Sequence, residues 1–251
     1  MWMLILEGLA IGGLLGLTGA GGGILAVPAL MASQGWTVAQ AAPVGLLAVT
    51  LSALVGTFEG LFKRIVRYRA ALWIALISIP SARYGVHLAG IISPVWLTLA
   101  FTLVMLLVAY RIFFNKVHDH ENALCKVNQT TGRLIWNMKT ALSLGVIGMV
   151  AGLLTGLLGV GGGFVIVPAL RKVTDLDMRS IVATSLMIIF LIGSVSISAH
   201  VLDGFQYPIL TTFTFVVACI VGMLIGRSLI HRIDANRVQK IFATTVIGVA
   251  L

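Results

Sequence analysis

Apolar residues occur in long runs along the whole chain, and short polar segments separate these runs. A glycine-rich apolar segment opens each half of the sequence, and three further apolar runs follow it each time. These runs cover residues 38–62, 71–90, 95–114, 180–202, 207–230 and 236–251. A helix needs about 20 mostly apolar residues to cross the hydrocarbon core of a bilayer. The pattern therefore predicts an all-α polytopic membrane protein whose solvent is the lipid bilayer.

The two halves of the chain are copies of one unit. GGLLGLTGAGGG at residues 12–23 aligns without a gap with GLLTGLLGVGGG at residues 152–163, and both segments continue to Val-Pro-Ala-Leu. A glycine triplet followed at the same distance by Pro-Ala-Leu is hard to obtain from composition bias. We therefore divide the chain into a first membrane repeat, 1–114, a polar linker that we place in the cytoplasm, 115–138, and a second membrane repeat, 139–251.

The basic residues indicate that equivalent loops of the two repeats lie on opposite sides of the membrane, because such residues mark cytoplasmic loops. In the first repeat, one cluster follows the run 38–62. In the second repeat, one cluster precedes the run 180–202 and another begins at the end of the run 207–230. The clusters are Lys63, Arg64, Arg67 and Arg69, then Arg171, Lys172 and Arg179, then Arg227, Arg232, Arg237 and Lys240. Four crossings per repeat would give both repeats the same orientation. The charges therefore predict two inverted-topology repeats, each with a Gly-rich re-entrant helical hairpin and three transmembrane helices. The alternative is a broken or glycine-kinked helix in place of each hairpin.

The tips of the two predicted hairpins are the candidate binding site. A half-helix that begins near Gly22 or Gly162 presents unpaired N–H groups and a partial positive charge, which attract an anion. Irregular backbone at membrane depth is tolerated where it is buried in protein or lines a cavity, so two tips predict one shared cavity. The residues concerned are Thr18, Gly19, Gly21, Gly22, Gly23, Gly159, Gly161, Gly162 and Gly163. In the alternative interpretation, the glycines permit close helix packing and Pro28 and Pro168 kink the helices.

Three side chains inside the predicted spans complete the candidate substrate-binding set. Arg83 lies well inside a span, and its planar guanidinium suits an oxyanion, although it can instead extend toward the outer interface. Thr184 and Ser185 provide hydroxyls in the second repeat alone, but such hydroxyls more often bond within their own helix. Glu59 precedes Lys63 by four residues, which predicts an ordinary ion pair at a span boundary.

Composition and motifs exclude several other classes of function. Hydrophobic residues make up 59% of the 251 residues and charged residues 10%, and the mean hydropathy is +1.07. The formal net charge of +9 would suit nucleic acid, but the basic residues occupy short loops between spans, so we predict no nucleic-acid partner. The residues 118–121, His-Asp-His-Glu, resemble metal ligands but lie in the polar linker, where a solvated loop is expected. We expect no metal, no cofactor and no enzymatic activity, because nucleotide-binding and catalytic motifs are missing.

The paired glycine-rich segments ending in Val-Pro-Ala-Leu, the duplicated spans and the chain length resemble the TauE/SafE sulfite exporter family of bacterial and archaeal inner-membrane proteins. The resemblance covers nearly the whole chain. It implies a secondary carrier that exports sulfite, sulfoacetate or a related organosulfonate, and it places the family motif on Gly19 and Gly21–Gly23 and on Gly159 and Gly161–Gly163. Because the motif is shared by members with different substrates, it leaves the anion open.

The sequence thus predicts a secondary transporter that moves a small anion across the inner membrane by alternating access. Its partners are the anion and the lipid bilayer, and its oligomeric state is not predicted. A passive anion channel is one alternative, and saturable counterflow would distinguish the two. A membrane-embedded enzyme or assembly factor is another, and it would require a convergent group of His, Asp, Glu or Cys side chains.

Overall fold

The computed structural model describes residues 2–19, 21–114 and 136–229, and this part of the chain forms nine α-helices. In chain order they are α1 Trp2–Thr18, α2 Gly21–Gln34, α3 Val38–Phe62, α4 Tyr68–Ile91, α5 Pro94–Phe114, α6 Met138–Leu158, α7 Gly163–Val173, α8 Met178–Leu202 and α9 Ile209–Leu229. Five of them, α3, α4, α6, α8 and α9, are long and apolar enough to cross a membrane. The predicted all-helical membrane class is confirmed. Most of the predicted linker and the run 236–251 lie outside the described residues.

Each glycine-rich segment forms two helices, because the chain leaves the helical conformation at its glycines. The break lies between α1 and α2 in the first repeat and between α6 and α7 in the second. In the first repeat α2 turns back along α1, since Gly22 packs on the backbone of Ile11 and the Ser33 side chain lies near the carboxyl group of Glu7. The start of α1 therefore lies beside the end of α2.

Equivalent helices of the two repeats make equivalent contacts. Helix α1 packs along α9, and its counterpart α6 packs along α4, the counterpart of α9. Glycines every four residues form both contacts, with Gly8, Gly12 and Gly16 against α9 and Gly148, Gly152 and Gly156 against α4. A Cβ at Gly148 would lie 2.6 Å from the carbonyl oxygen of Ile74. Close helix packing, the alternative that we considered for the whole glycine-rich segment, is thus the role of these glycines.

Helices α3 and α8, which are also counterparts, pack against each other at the centre of the molecule. They run antiparallel, because Gly60 near the end of α3 contacts Ala183 near the start of α8, while Gly193 contacts Thr50. Val49 lies near the middle of α3 and is 1% exposed. Its counterpart near the middle of α8, Ile189, is equally buried. The middle of this helix pair therefore belongs to the apolar core.

Polar contacts bring the end of α3, the end of α9 and the start of α8 to one face. Glu59 of α3 pairs with Arg227 of α9, with 2.8 Å between Oε2 and Nε. The expected pair of Glu59 with Lys63 is confirmed, with 2.7 Å between Oε1 and Nζ. The backbone N–H of Arg67 donates to Oγ1 of Thr184, at 3.0 Å, and so ties the α3–α4 loop to α8. Basic residues thus collect at this face.

Candidate anion site between the glycine turns

The first glycine turn follows α1 and requires glycine for steric reasons. Gly19 is buried, has a φ of +68°, and its N–H donates to the carbonyl of Leu15 at 2.8 Å. This is the left-handed ending that glycine adopts at little cost at the end of a helix. A Cβ at Gly19 would also lie 2.7 Å from Cγ1 of Val182 on α8. Two constraints therefore select glycine here, the backbone angle and the contact with α8.

Ser185 holds the first turn against α8. Its hydroxyl lies 2.9 Å from the carbonyl oxygen of Gly19 and 2.8 Å from that of Val182, and the side chain is fully buried. The hydroxyl can donate to either carbonyl. Next to the turn, the Thr18 hydroxyl donates within its own helix to Leu14 at 2.7 Å. Of the two hydroxyls predicted on α8, Ser185 thus contacts a glycine turn.

The second glycine turn joins α6 to α7 and is buried throughout. Gly159, Gly161 and Gly162 have φ values of +68°, +75° and +63°. Gly159 repeats the geometry of the first turn, since its N–H donates to the carbonyl of Thr155 at 2.9 Å. The carbonyl of Gly162 accepts from Val165 at 3.0 Å and so begins α7. Residues with a Cβ would strain the backbone at all three glycines.

The two turns meet midway along the central helix pair. Gly23, in the first turn of α2, packs against the carbonyl oxygen of Val160 in the second glycine turn. A Cβ at Gly161 would lie 3.2 Å from Cγ1 of Val49 and 3.3 Å from Cγ2 of Ile189, the two central residues of α3 and α8. The start of α2 and the second glycine turn therefore touch, and these close contacts leave little room for a side chain at Gly23 or Gly161. The shared cavity that the sequence predicts at the two tips stays a prediction.

Helices α2 and α7 both begin where the turns meet. The first backbone N–H groups of a helix lack an acceptor within that helix, and the helix dipole places a partial positive charge there. In α2 these groups belong to Gly21, Gly22 and Gly23, and in α7 the first is that of Gly163. Helix N-termini bind anions for this reason. Two of them converge on the same buried region.

The other two predicted side chains lie elsewhere. The hydroxyl of Thr184 accepts the hydrogen bond from Arg67 and therefore serves the α3–α4 loop. The Arg83 side chain is exposed on α4, next to Ala82, which faces Gly156 of α6. The structure does not bring Arg83 to the glycine turns, and its exposed position matches the alternative in which the side chain extends toward the interface.

Arg227, which the charge pattern identified only as a loop residue, is a basic residue near the first turn. Its side chain is 10% exposed, and its Nη1 donates to the carbonyl of Gly56 at 3.0 Å. Its position within the apolar run 207–230 could have identified it as a candidate functional residue from the sequence, because charged residues inside a span are rare and tend to be functional.

Comparisons with known proteins agree with this architecture. The family "Sulfite exporter TauE/SafE" matches residues 4–251. A probable membrane transporter protein of Xylella fastidiosa is 29% identical over 247 residues, which cover 96% of this chain and 90% of the relative. The probable membrane transporter protein YunE of Bacillus subtilis is 27% identical over 214 residues, 80% of this chain and 78% of the relative.

A sulfite exporter TauE/SafE family protein 1 of Arabidopsis thaliana is 26% identical over 134 residues, which cover 53% of this chain and 28% of that protein. No solved structure matches the chain. The family match spans nearly the whole sequence, and the relatives are named as membrane transporters and not as enzymes. The chain therefore belongs to the sulfite exporter TauE/SafE family and is a multi-pass membrane transporter.

Proposed function

We propose that this protein is a secondary transporter that exports a small anion, such as sulfite or an organosulfonate, across the inner membrane by alternating access. The observation that carries the proposal is the meeting of the two glycine turns midway along α3 and α8, where Gly23 contacts Val160. Membership of a sulfite exporter family supports an anion as the substrate. A membrane potential that is negative inside would favour the exit of an anion.

In this proposal, backbone N–H groups at the starts of α2 and α7 bind the anion. The binding set is the part of the predicted set that lies at the turns, with the glycines of both turns and Thr18 nearest to the anion and Ser185 holding the first turn in place. A hydrogen bond to a charged group contributes about 1.5–3 kcal/mol, so a few such bonds are sufficient for a transport site, where tight binding would slow release. Arg83 and Thr184 lie outside this set.

The two repeats, 1–114 and 139–251, would have inverted topology and would move against each other around this site. The antiparallel packing of the counterpart helices α3 and α8 supports the inversion, and the return of α2 along α1 supports a re-entrant hairpin. The glycine contacts of α1 with α9 and of α6 with α4 join each hairpin to the opposite repeat. A movement of one repeat would thus move both halves of the site.

The proposal is tested with the purified protein in proteoliposomes. We expect sulfite uptake that saturates, that unlabelled internal sulfite accelerates, and that sulfoacetate inhibits more strongly than acetate. Uptake that rises linearly with concentration and shows no counterflow would indicate a channel. Uptake equal to that of protein-free liposomes for sulfite, sulfoacetate and sulfate would contradict transport of this class of anion.

A further inference from the structure

A partly buried ion pair lies at the end of α3, on the face where the basic loops collect; the Arg227 side chain is 10% exposed and that of Glu59 31%. The Arg227 guanidinium contacts the Glu59 carboxylate through Nε at 2.8 Å and the Gly56 carbonyl through Nη1 at 3.0 Å. A guanidinium carries more N–H donors than these two contacts use. A charge in this position is costly unless it is paired or bound by a ligand, so Glu59 is the anion that Arg227 holds in this conformation.

The ion pair lies beside the first glycine turn. A Cβ at Gly16, one helical turn before that glycine turn, would lie 3.0 Å from the backbone nitrogen of Arg227. A Cβ at Gly56 would lie 3.1 Å from Nη1 of Arg227 and 2.7 Å from Leu186, the neighbour of Ser185 on α8. The same short stretch of α8 thus packs against Gly56, which accepts the hydrogen bond of Arg227, and against the glycine turn.

The backbone of a second arginine belongs to the same region. The backbone of Arg67 bonds to Thr184, which precedes Ser185. Nε of Arg67 is buried, and within the described residues it has no hydrogen-bond partner. Buried polar groups in folded proteins are nearly always hydrogen-bonded, so this N–H without a partner is available to an acceptor that binds there.

The repeat does not require these charges for its packing. With the spacing of 140 to 141 residues that relates the two copies, Glu59 corresponds to Ala199, Arg227 to Val86 and Arg67 to Tyr207. The helix contacts are the same at both ends, yet these charges occur at one end only. A difference of this kind points to function rather than to assembly.

We propose that Arg227 and Arg67 form an anion-docking site on the cytoplasmic side of the first glycine turn. The Glu59 carboxylate stays paired with Arg227 until the transported anion displaces this carboxylate. This inference rests on the proposed function, because it names the residues through which the exported anion reaches the glycine turns. Displacement of Glu59 also breaks the ion pair between α3 and α9 and leaves the hydrogen bond of Arg227 to Gly56 as the remaining polar contact between these helices. The site takes a small oxyanion such as sulfite, since a guanidinium binds oxyanions through paired N–H groups.

The test measures the apparent KM for sulfite in proteoliposomes for Arg227→Gln, Arg67→Gln and Glu59→Gln, with Lys63→Gln as the matched control. Lys63 contacts the same carboxylate, but its side chain is 56% exposed. We expect the KM to rise about tenfold or more for Arg227→Gln and severalfold for Arg67→Gln, as follows from the loss of one charged hydrogen bond. For Glu59→Gln we expect the KM to fall, because the competing carboxylate is gone. Lys63→Gln should stay within about twofold of the wild type, as exposed pairs contribute little.

Two results would overturn the inference. One is an unchanged KM for Arg227→Gln. The other is an increase for Glu59→Gln as large as that for Arg227→Gln, which would make the pair a structural contact. Arg227→Lys, which keeps the charge, provides a variant that is expected to fold if Arg227→Gln does not, and its KM should lie between those of the wild type and a charge-free variant.

A second measurement separates this inference from the proposed function. Sulfite that binds the native state raises the thermal midpoint of the detergent-purified protein. Suppose that the wild type transports no anion, but that sulfite still raises the thermal midpoint of the wild type and of Lys63→Gln and leaves that of Arg227→Gln unchanged. The docking site is then correct and the export function is wrong. Suppose instead that sulfite is transported, and that Arg227→Gln changes neither the apparent KM for sulfite nor the shift of the thermal midpoint that sulfite causes. The docking site is then wrong and the export function is correct.

Discussion

Replacement of Gly161 by alanine tests the glycine site directly, and the chain offers a matched control for it. Gly161 has a φ of +75°, and Gly204, in the loop between α8 and α9, has a φ of +80°. A Cβ at Gly161 would lie 3.2 Å from Val49 and 3.3 Å from Ile189, whereas a Cβ at Gly204 would have nothing within 4 Å. Both substitutions strain the backbone in the same way, and only Gly161→Ala places a methyl group where the turns meet.

The expected magnitudes differ between stability and transport. A non-glycine residue in the left-handed region costs about 1–2 kcal/mol, so both variants should lose a similar amount of stability. For a chain of this size that corresponds to a decrease in Tm of about 2–8 °C. The methyl group of Gly161→Ala must in addition push Val49 or Ile189 aside by a few tenths of an ångström, and it screens the neighbouring N–H groups. The loss of one hydrogen bond to the anion lowers its affinity about tenfold or more.

The assay measures sulfite uptake into proteoliposomes over a range of concentrations, with the Tm of each variant determined in the same detergent. We expect a similar decrease in Tm for both variants, with uptake at low sulfite reduced about tenfold or more for Gly161→Ala and near the wild type for Gly204→Ala. Equal losses of uptake would mean that backbone strain alone explains the effect. Wild-type uptake by Gly161→Ala would refute the proposed place of the anion.

Three further predictions concern packing, the first turn and topology. Gly12→Ala should lower the Tm, because its Cβ would meet the backbone of α9 and overpacking of this kind costs about 1–3 kcal/mol. Gly13→Ala should be close to neutral, since its Cβ would lie 3.7 Å from the nearest carbonyl oxygen. Equal Tm values for the two variants would argue against this helix contact. Ser185→Ala removes the hydrogen bond to the first glycine turn and should cost about 1 kcal/mol and weaken sulfite binding; unchanged binding would separate this hydroxyl from the site. In a cysteine-free background, an impermeant thiol reagent should label Ser33→Cys from outside and Lys63→Cys from the cytoplasm only; labelling of both from one side would contradict the inverted topology.

Helix positions are the part of the fold that the sequence predicts best. The run 38–62 coincides with α3, and the run 180–202 differs from α8 by two residues at its start. Hydrophobic length is a local property, and a bilayer selects for it directly, so the sequence carries this information without reference to other segments. The family membership follows from a local motif in the same way.

The roles of individual residues within these segments depended on contacts between residues far apart in the sequence. Among the glycines of the two glycine-rich segments, Gly12 and Gly16 pack against α9, whereas Gly161 lies at the meeting of the two turns, and nothing in the local pattern separates these roles. Arg83 appeared to be the cation inside a span, yet its side chain is exposed, while Arg227 is buried against Glu59. The direction of a side chain depends on which helices pack around it, and that packing joins residues more than 160 positions apart.

The sequence by itself determined the helices, the duplication and the family, because each is encoded in short stretches of residues. Tertiary structure decided which glycines pack, which ones turn, and which arginine is buried, because those properties arise only when α1 meets α9 and α3 meets α8.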